Sequence, residues 1–256
     1  MSDGAVHFSK ADGVASVAFD RPQAYNAMTM AMYDQLAAAC VEIAADPDLR
    51  VATFRGTGEA FVAGTDIREF LAFDSAEDGI AYEQRIDEVI TLVESLPVPT
   101  IAVVEGAAMG GGLAIAAACD LRLATPAARF GVPIARTLGN CLALANTARL
   151  ITAFGPARTK RLLLLADSIS GEEALSCGFV VKVVSREGID DAVNVMCRQL
   201  ASHAPITMRV AKESIRRLTG ASVPGDDLIR AAYGSSDFRA GVRAFLAKQR
   251  PQWTGL

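Results

Sequence analysis

A chain of 256 residues that is 51% hydrophobic and 21% charged has the makeup of a folded protein with a sizeable core, and it lacks the charge imbalance of a disordered one. Lys and Arg number 25 against 29 Asp and Glu, a net charge of -4. With a pI near 5.3 there is no overall basic field, which excludes an electrostatic nucleic-acid binder.

The predicted elements alternate. Val14, Val17 and Phe19 mark an extended run that ends at Arg21-Pro22. Thr29 reads as the N-cap of a helix carrying Met32, Leu36, Ala39, Cys40 and Ile43 at helical spacing, stopped by Asp46-Pro47. Residues 51–55 form a strand and lead to a Gly-rich turn. Residues 76–96 form a helix with Ile86, Val89, Ile90 and Val93 on one face, ended by Pro97 and Pro99. Residues 100–104 are apolar on both faces and predict a fully buried strand. Gly110-Gly111-Gly112 opens an Ala-rich helix to Cys119, and residues 121–124 give a further strand.

This order predicts an α/β fold with buried parallel strands. The apolar stretch from Pro97 to Cys119 contains Glu105 and three glycines, so it predicts two buried elements and no membrane span. Beyond residue 140 the pattern is mostly helical. It has a helix opening at Gly171, a short strand at Val180–Val184, and breaks at 203–205, 220–225 and Gly234. Residues 201–256 carry nine Lys/Arg and four Asp/Glu, which suits a solvated helical face or a phosphate-binding surface.

Cys40, Cys119, Cys141, Cys177 and Cys197 are odd in number and widely spaced. They predict buried reduced thiols, with no disulfide framework and no metal site. No secretory signal stands at residues 1–20, and a cytoplasmic location is expected. The glycine run is not a dinucleotide fingerprint, because the third glycine would fall on Ile115. With only His7 and His203, a histidine-centred triad is not expected.

Two Gly-rich turns carry the chemistry: Phe61 to Asp66, and Gly106 to Leu113. Brought together, they are either tight structural turns or a pair whose backbone N–H groups hold one carbonyl oxygen, helped by the positive end of the helix that the second turn opens.

These turns, with four further segments, resemble the crotonase (enoyl-CoA hydratase/isomerase) superfamily over nearly the whole chain. Asp20 to Ala27 resembles its RP-x-x-x-NA segment, and Phe61 to Asp66 its F-x-AG-x-D loop. Gly110 to Gly112 with Ala118 to Arg122 resembles GGG…CDLR, Phe130 to Pro133 FG-x-P, and Ile169 to Gly178 IS-x-EEAL-x-x-G. Gly241 to Lys248 with Arg250-Pro251 resembles the C-terminal signature.

The resemblance implies a superhelix of ββα units. Residues 1–195 form the core with an acyl-CoA site, and residues 196–256 form a helical trimerisation region. It further implies a homotrimer or a hexamer of two trimers. An acyl-CoA thioester is the expected ligand and no separate cofactor is needed. The thioester oxygen is expected between the N–H groups of Ala63 and Gly111. The CoA moiety is expected along Gln23, Ala24 and Tyr25 and along Ala63, Gly64, Thr65 and Asp66, with Lys248 or Arg250 near its phosphates.

The same resemblance exposes a departure. The two positions at which hydratases of this family carry glutamates are Ala114 and Ile134, and no carboxylate lies between Leu121 and Leu165. Ala and Ile can neither activate water nor deliver a proton. The replacement candidates are Arg136, which could meet a carboxylate on the acyl chain, and acids on the helix bearing Tyr82, Glu83 and Asp87. Asp66 and Cys141 are further candidates. Three readings stay open: an enzyme with other enolate chemistry, a weak hydratase, and a non-catalytic acyl-CoA-binding protein.

Overall fold

The computed structural model describes residues 4–219 and 226–251. The chain starts with a hairpin, β1 (Ala5–Ala11) and β2 (Val14–Asp20), and a 3-10 turn at Pro22–Ala24. Helix α1 (Met30–Ala45) follows, and Thr29 caps it as expected, its Oγ1 accepting from the Met32 N–H at 3.2 Å. β3 (Val51–Gly56), a 3-10 turn at Ile67–Ala72 and α2 (Ala76–Glu94) come next. Ser75 and Asp78 form a capping box at the start of α2. Then come β4 (Thr100–Val104), β5 (Ala107–Met109), α3 (Gly111–Ala118), β6 (Leu121–Ala124), β7 (Arg129–Gly131), the short α4 (Ile134–Thr137) and α5 (Leu144–Leu164). The chain continues through β8 (Ser168–Ser170), α6 (Gly171–Ser176), β9 (Lys182–Val183), α7 (Ile189–Ala201), α8 (Pro205–Thr219), α9 (Asp226–Tyr233) and α10 (Ser236–Leu246).

Two sheets result. The larger has strand order β1-β2-β3-β4-β6-β9, antiparallel at the first hairpin and parallel elsewhere. The smaller is β5-β7-β8, with three-residue strands. All five residues of β4 are buried, as its two-faced apolar sequence predicts. The small sheet was not predicted, because three residues are too few to show a period. Strand β1 was not predicted either: residues 5–11 are largely exposed and carry no buried alternating face. The strand expected at 180–184 narrows to two residues.

α5 is two helices joined at Gly155, whose φ of 74° breaks the turn before Pro156. The expected boundary at residue 195 falls inside α7, whose Ile189 and Cys197 are both buried under the large sheet. α8, α9 and α10 follow α7. α9 packs against α2, and α10 against the 3-10 turn at 67–72. The expected break at 220–225 lies outside the described residues. Among the described residues, no helix is long and apolar enough to cross a membrane.

Candidate active site

The two Gly-rich turns meet. An isolated parallel bridge joins Val62 to Ala108, and the Met109 N–H donates to the Val62 carbonyl at 2.9 Å. Gly64 has φ +112°, a region that favours glycine, and a Cβ on Gly110 would stand 4.0 Å from the Gly64 Cα. The closest approach is at Gly112, where a Cβ would lie 2.0 Å from the Val62 carbonyl oxygen. α3 can seat its first turn against residues 61–63 only without a side chain there.

A second staple fixes the 61–66 turn from the other side. Asn26 is fully buried. Its Oδ1 accepts from the Arg21 N–H at 2.8 Å, and its Nδ2 donates to the carbonyls of Thr57 and Ala60, each at 2.8 Å. Asp66 is held by Arg21 at 2.7 Å and by Arg68 at 2.6 Å, and its Oδ1 caps the Ile67–Ala72 turn at the Arg68 N–H. Burial works against the Asp66 charge, but the bonds from Arg68 and Arg21 outweigh it and hold the carboxyl well below its ordinary range. With both arginines bound to its oxygens, Asp66 fixes the turn. Those bonds occupy the carboxyl that the sequence offers as a replacement acid.

The backbone donors differ from expectation. The Ala63 N–H donates to the Tyr25 carbonyl at 3.0 Å and so is not available to a ligand. Two residues on, the bridge to Met28 uses the Gly64 carbonyl and the Asp66 N–H, each at 2.8 Å, and leaves the Thr65 N–H without an acceptor among the described residues. Gly111 is the first residue of α3, so its N–H has no intrahelical acceptor and points out at the positive end of the helix. Thr65 and Gly111 thus each offer a free N–H on the facing turns, as do the neighbouring Gly64 and Gly112 among the described residues.

Three hydroxyls surround the Thr65 and Gly111 pair. Thr65 Oγ1 lies 2.9 Å from the Tyr33 hydroxyl and 2.6 Å from that of Tyr82. The Tyr33 hydroxyl sits 2.4 Å from where a Gly111 Cβ would stand. Burial pushes both phenols above their ordinary range. The sequence pattern places Tyr82 on the helix but assigns no role to Tyr33 or to the Thr65 side chain. Their convergence comes from the packing of α1 beside α2, which no local spacing encodes.

Beyond Tyr82 the site is walled by rings. Phe70, Phe73, Tyr82, Tyr233 and Phe238 contact one another edge-on or tilted, with centroids 4.6 to 6.4 Å apart. Glu83 is 3% exposed beside these rings. Its Oε1 accepts from the Tyr233 hydroxyl at 2.7 Å and its Oε2 from the Ala143 N–H at 2.8 Å. Burial pushes its carboxyl up to about 7; the bonds from Tyr233 and Ala143 work against the rise, and Asp87 adds to it.

The remaining sequence candidates stand apart. Asp87 is bound to Arg149 at 2.5 Å. Arg136 is exposed on α4, where its field acts on Asp167 beside β8. The Cys141 thiol is pushed up to about 12, first by burial and then by Glu83, which opposes a nucleophilic role. Ala114 is buried and Ile134 half-buried, both against the main core. Gln23 and Tyr25 are exposed at the rim beside the half-buried Ala24. Lys248 and Arg250 are exposed beyond the end of α10.

Facing Gly-rich turns on a two-sheet ββα core, with free N–H groups at a helix start, define a crotonase-fold protein. Residues 9–256 match the family Enoyl-CoA hydratase/isomerase, and the chain belongs to it. A probable enoyl-CoA hydratase of Bacillus subtilis is 31% identical over 248 residues, covering 94% of this chain and 95% of the relative. The mitochondrial enoyl-CoA hydratase domain-containing protein 2 of Bos taurus is 33% identical, covering 95% and 85%. Among solved structures, a methylmalonyl-CoA decarboxylase complexed with 2S-carboxypropyl CoA superposes with a TM-score of 0.89 at 27% identity, over the full length of both chains.

Proposed function

We propose that this protein binds an acyl-CoA thioester and polarises its carbonyl between the N–H groups of Thr65 and Gly111. The chemistry is then that of an enolate and is not water addition by a glutamate pair. The observation that carries the reading is that Thr65 and Gly111 offer free backbone N–H groups on the two facing turns. Two donors aimed at one oxygen stabilise the negative charge of an enolate, each typically worth roughly 3–4 kcal/mol of barrier. Gln23, Ala24 and Tyr25 with Ala63, Gly64 and Thr65 form the surface along which CoA would lie. Lys248 is proposed to meet a phosphate, in its own chain or a neighbouring one. The helices from α8 onward are proposed to assemble a trimer.

With Ala114 and Ile134 at the two glutamate positions, hydration lacks both its water-activating and its proton-delivering group. The closeness in fold to a structure titled methylmalonyl-CoA decarboxylase supports chemistry at the α-carbon as the alternative.

The test uses two thioesters. Acetoacetyl-CoA is acidic enough to ionise without an enzyme base, so a pocket that stabilises enolates raises its enolate absorbance on binding. That rise is expected, with no loss of crotonyl-CoA absorbance at an ordinary turnover of roughly 10 per second. Fast hydration of crotonyl-CoA would overturn the reading, and so would failure of acetoacetyl-CoA to bind. Binding with no turnover of any thioester in a wider panel would favour a non-catalytic acyl-CoA-binding protein.

A further inference from the structure

Three side chains from three parts of the chain meet at the edge of the aromatic cluster: Glu83 from α2, Asn140 from the segment before α5, and Tyr233 from the end of α9. Asn140 Nδ2 donates to the Tyr233 hydroxyl at 3.3 Å, and that hydroxyl donates to Glu83 Oε1 at 2.7 Å. Asn140 Oδ1 is buried without a partner.

Of the buried carboxylates Asp66, Glu83 and Glu105, the first is held by Arg21 and Arg68 and the last by Arg55 at 2.5 Å. Glu83 has no cation among the described residues. The titratable and charged groups facing it are Tyr233 from α9, Cys141 beside Ala143, Tyr33 from α1, and Tyr82 and Asp87 from its own helix. Asp87 is the one charge among them, and Arg149 holds it. A buried carboxyl without a cation is costly and has no structural need to be ionisable.

We propose that Glu83 is the acid/base group of this site, moving a proton at the carbon next to the thioester carbonyl, with Tyr233 and Asn140 as positioning residues that keep it hydrogen-bonded in both protonation states. The inference rests on the acyl-thioester reading above. In the step, the Cα–H bond breaks and its electron pair forms the enolate double bond. Charge collects on the thioester oxygen between the Thr65 and Gly111 N–H groups, and the proton bonds to a Glu83 oxygen. Return of the proton, to the same carbon or to one further along a conjugated chain, closes the cycle with no other reactant.

Each Glu83 oxygen keeps a second lone pair for that proton. The charge of Glu83 acts on both Tyr33 and Tyr82, whose hydroxyls touch Thr65, so the carboxyl stands close to the polarising turn. The unpaired Asn140 oxygen is explained by the second protonation state. When the proton passes to the Oε1 lone pair that faces Tyr233, Glu83 donates to that hydroxyl, whose own O–H then turns away. An Asn140 amide rotated by half a turn presents Oδ1 to receive it.

The experiment follows deuterium incorporation at the α-carbon of butyryl-CoA in heavy water, by mass spectrometry, across the neutral pH range. The intact protein should exchange, at a rate that rises with pH around a midpoint of about 7, since the base is the ionised form. Glu83→Gln should slow exchange by on the order of 100-fold or more, while binding acetoacetyl-CoA with the same enolate band. Tyr233→Phe should move the midpoint upward, because it removes a bond to the carboxylate, and should lower kcat more than KM. A merely structural Tyr233 would leave the midpoint unmoved. Exchange by Glu83→Gln at the intact rate would overturn the assignment. So would an intact protein that shows the enolate band but never exchanges. Absence of both binding and band would instead overturn the acyl-thioester reading, and this inference with it.

Discussion

Glu83 and Asp66 are two buried carboxyls with opposite consequences for stability. Asp66, held low by Arg68 and Arg21, stabilises the fold above its unfolded-state value near 3.8 and loses that contribution in acid. Glu83 works the other way. The unfolded chain ionises it near 4.5 and the folded chain near 7. Between those values the unfolded state releases a proton that the folded state keeps, so stability falls as pH rises through the window and is level above it. The full shift is worth on the order of 3 kcal/mol. Glu83→Gln keeps the shape and removes the titration. Its denaturant midpoint is expected to exceed that of the parent at about pH 8, with the gap closing towards about pH 5. Parallel pH slopes for the two proteins would show that Glu83 is not buried as described. The same variant thus gains stability where it loses proton transfer, as expected of a residue kept for chemistry.

The elements that hold the site are short, and their precision comes from close backbone approach. α3 is eight residues long, yet it presents the Gly111 N–H because its first turn lies against the Val62 carbonyl. Gly112→Ala puts a Cβ 2.0 Å from that oxygen, which no rotamer relieves. It is expected to part the two turns and cost on the order of 3 kcal/mol or more, read as a fall in Tm together with loss of the acetoacetyl-CoA enolate band. A variant that melts and binds like the parent would refute the close approach.

The same contrast explains what the residues revealed on their own. α1 and α2 announce themselves through caps and an apolar face, since both signals are local. Both Gly-rich turns were legible from composition. Which N–H each turn leaves free was not: the Tyr25 carbonyl takes that of Ala63, and the Met28 bridge spares that of Thr65. Those partners lie far along the chain. Glu83 was legible only as one acid on a helix face, because Tyr233 and Asn140 reach it from distant segments.

At the scale of the molecule, α8 is the long helix that packs least against the rest of the described residues. No residue of α8 is buried, although its sequence is amphipathic. Its inner face, with Met208, Ala211, Lys212 and Ile215, borders a cleft of about 1040 Å³ shared with Ala145 and Phe179 of the body. Among the described residues the Lys212 ammonium crosses it, donating to Asp120 at 2.7 Å and to the Val98 carbonyl at 3.0 Å. Ile206 is 65% exposed and Val210 57%. α9 and α10, by contrast, bury Tyr233, Phe238 and Val242 against their own chain and complete the site from within it. The proposed assembly should therefore run through α8 and leave the acid/base cluster intact. Covering one such aliphatic side chain is worth about 1.5–3 kcal/mol, and a trimer repeats the gain at every interface. Sedimentation is expected to give a trimer or a multiple of it, with a Tm that rises with protein concentration. Ile206→Glu with Val210→Glu should yield a monomer that still exchanges α-deuterium in butyryl-CoA. If dissociation abolished exchange while the fold persisted, a neighbouring chain would have to supply part of the site, and Lys248 would be the first side chain to examine.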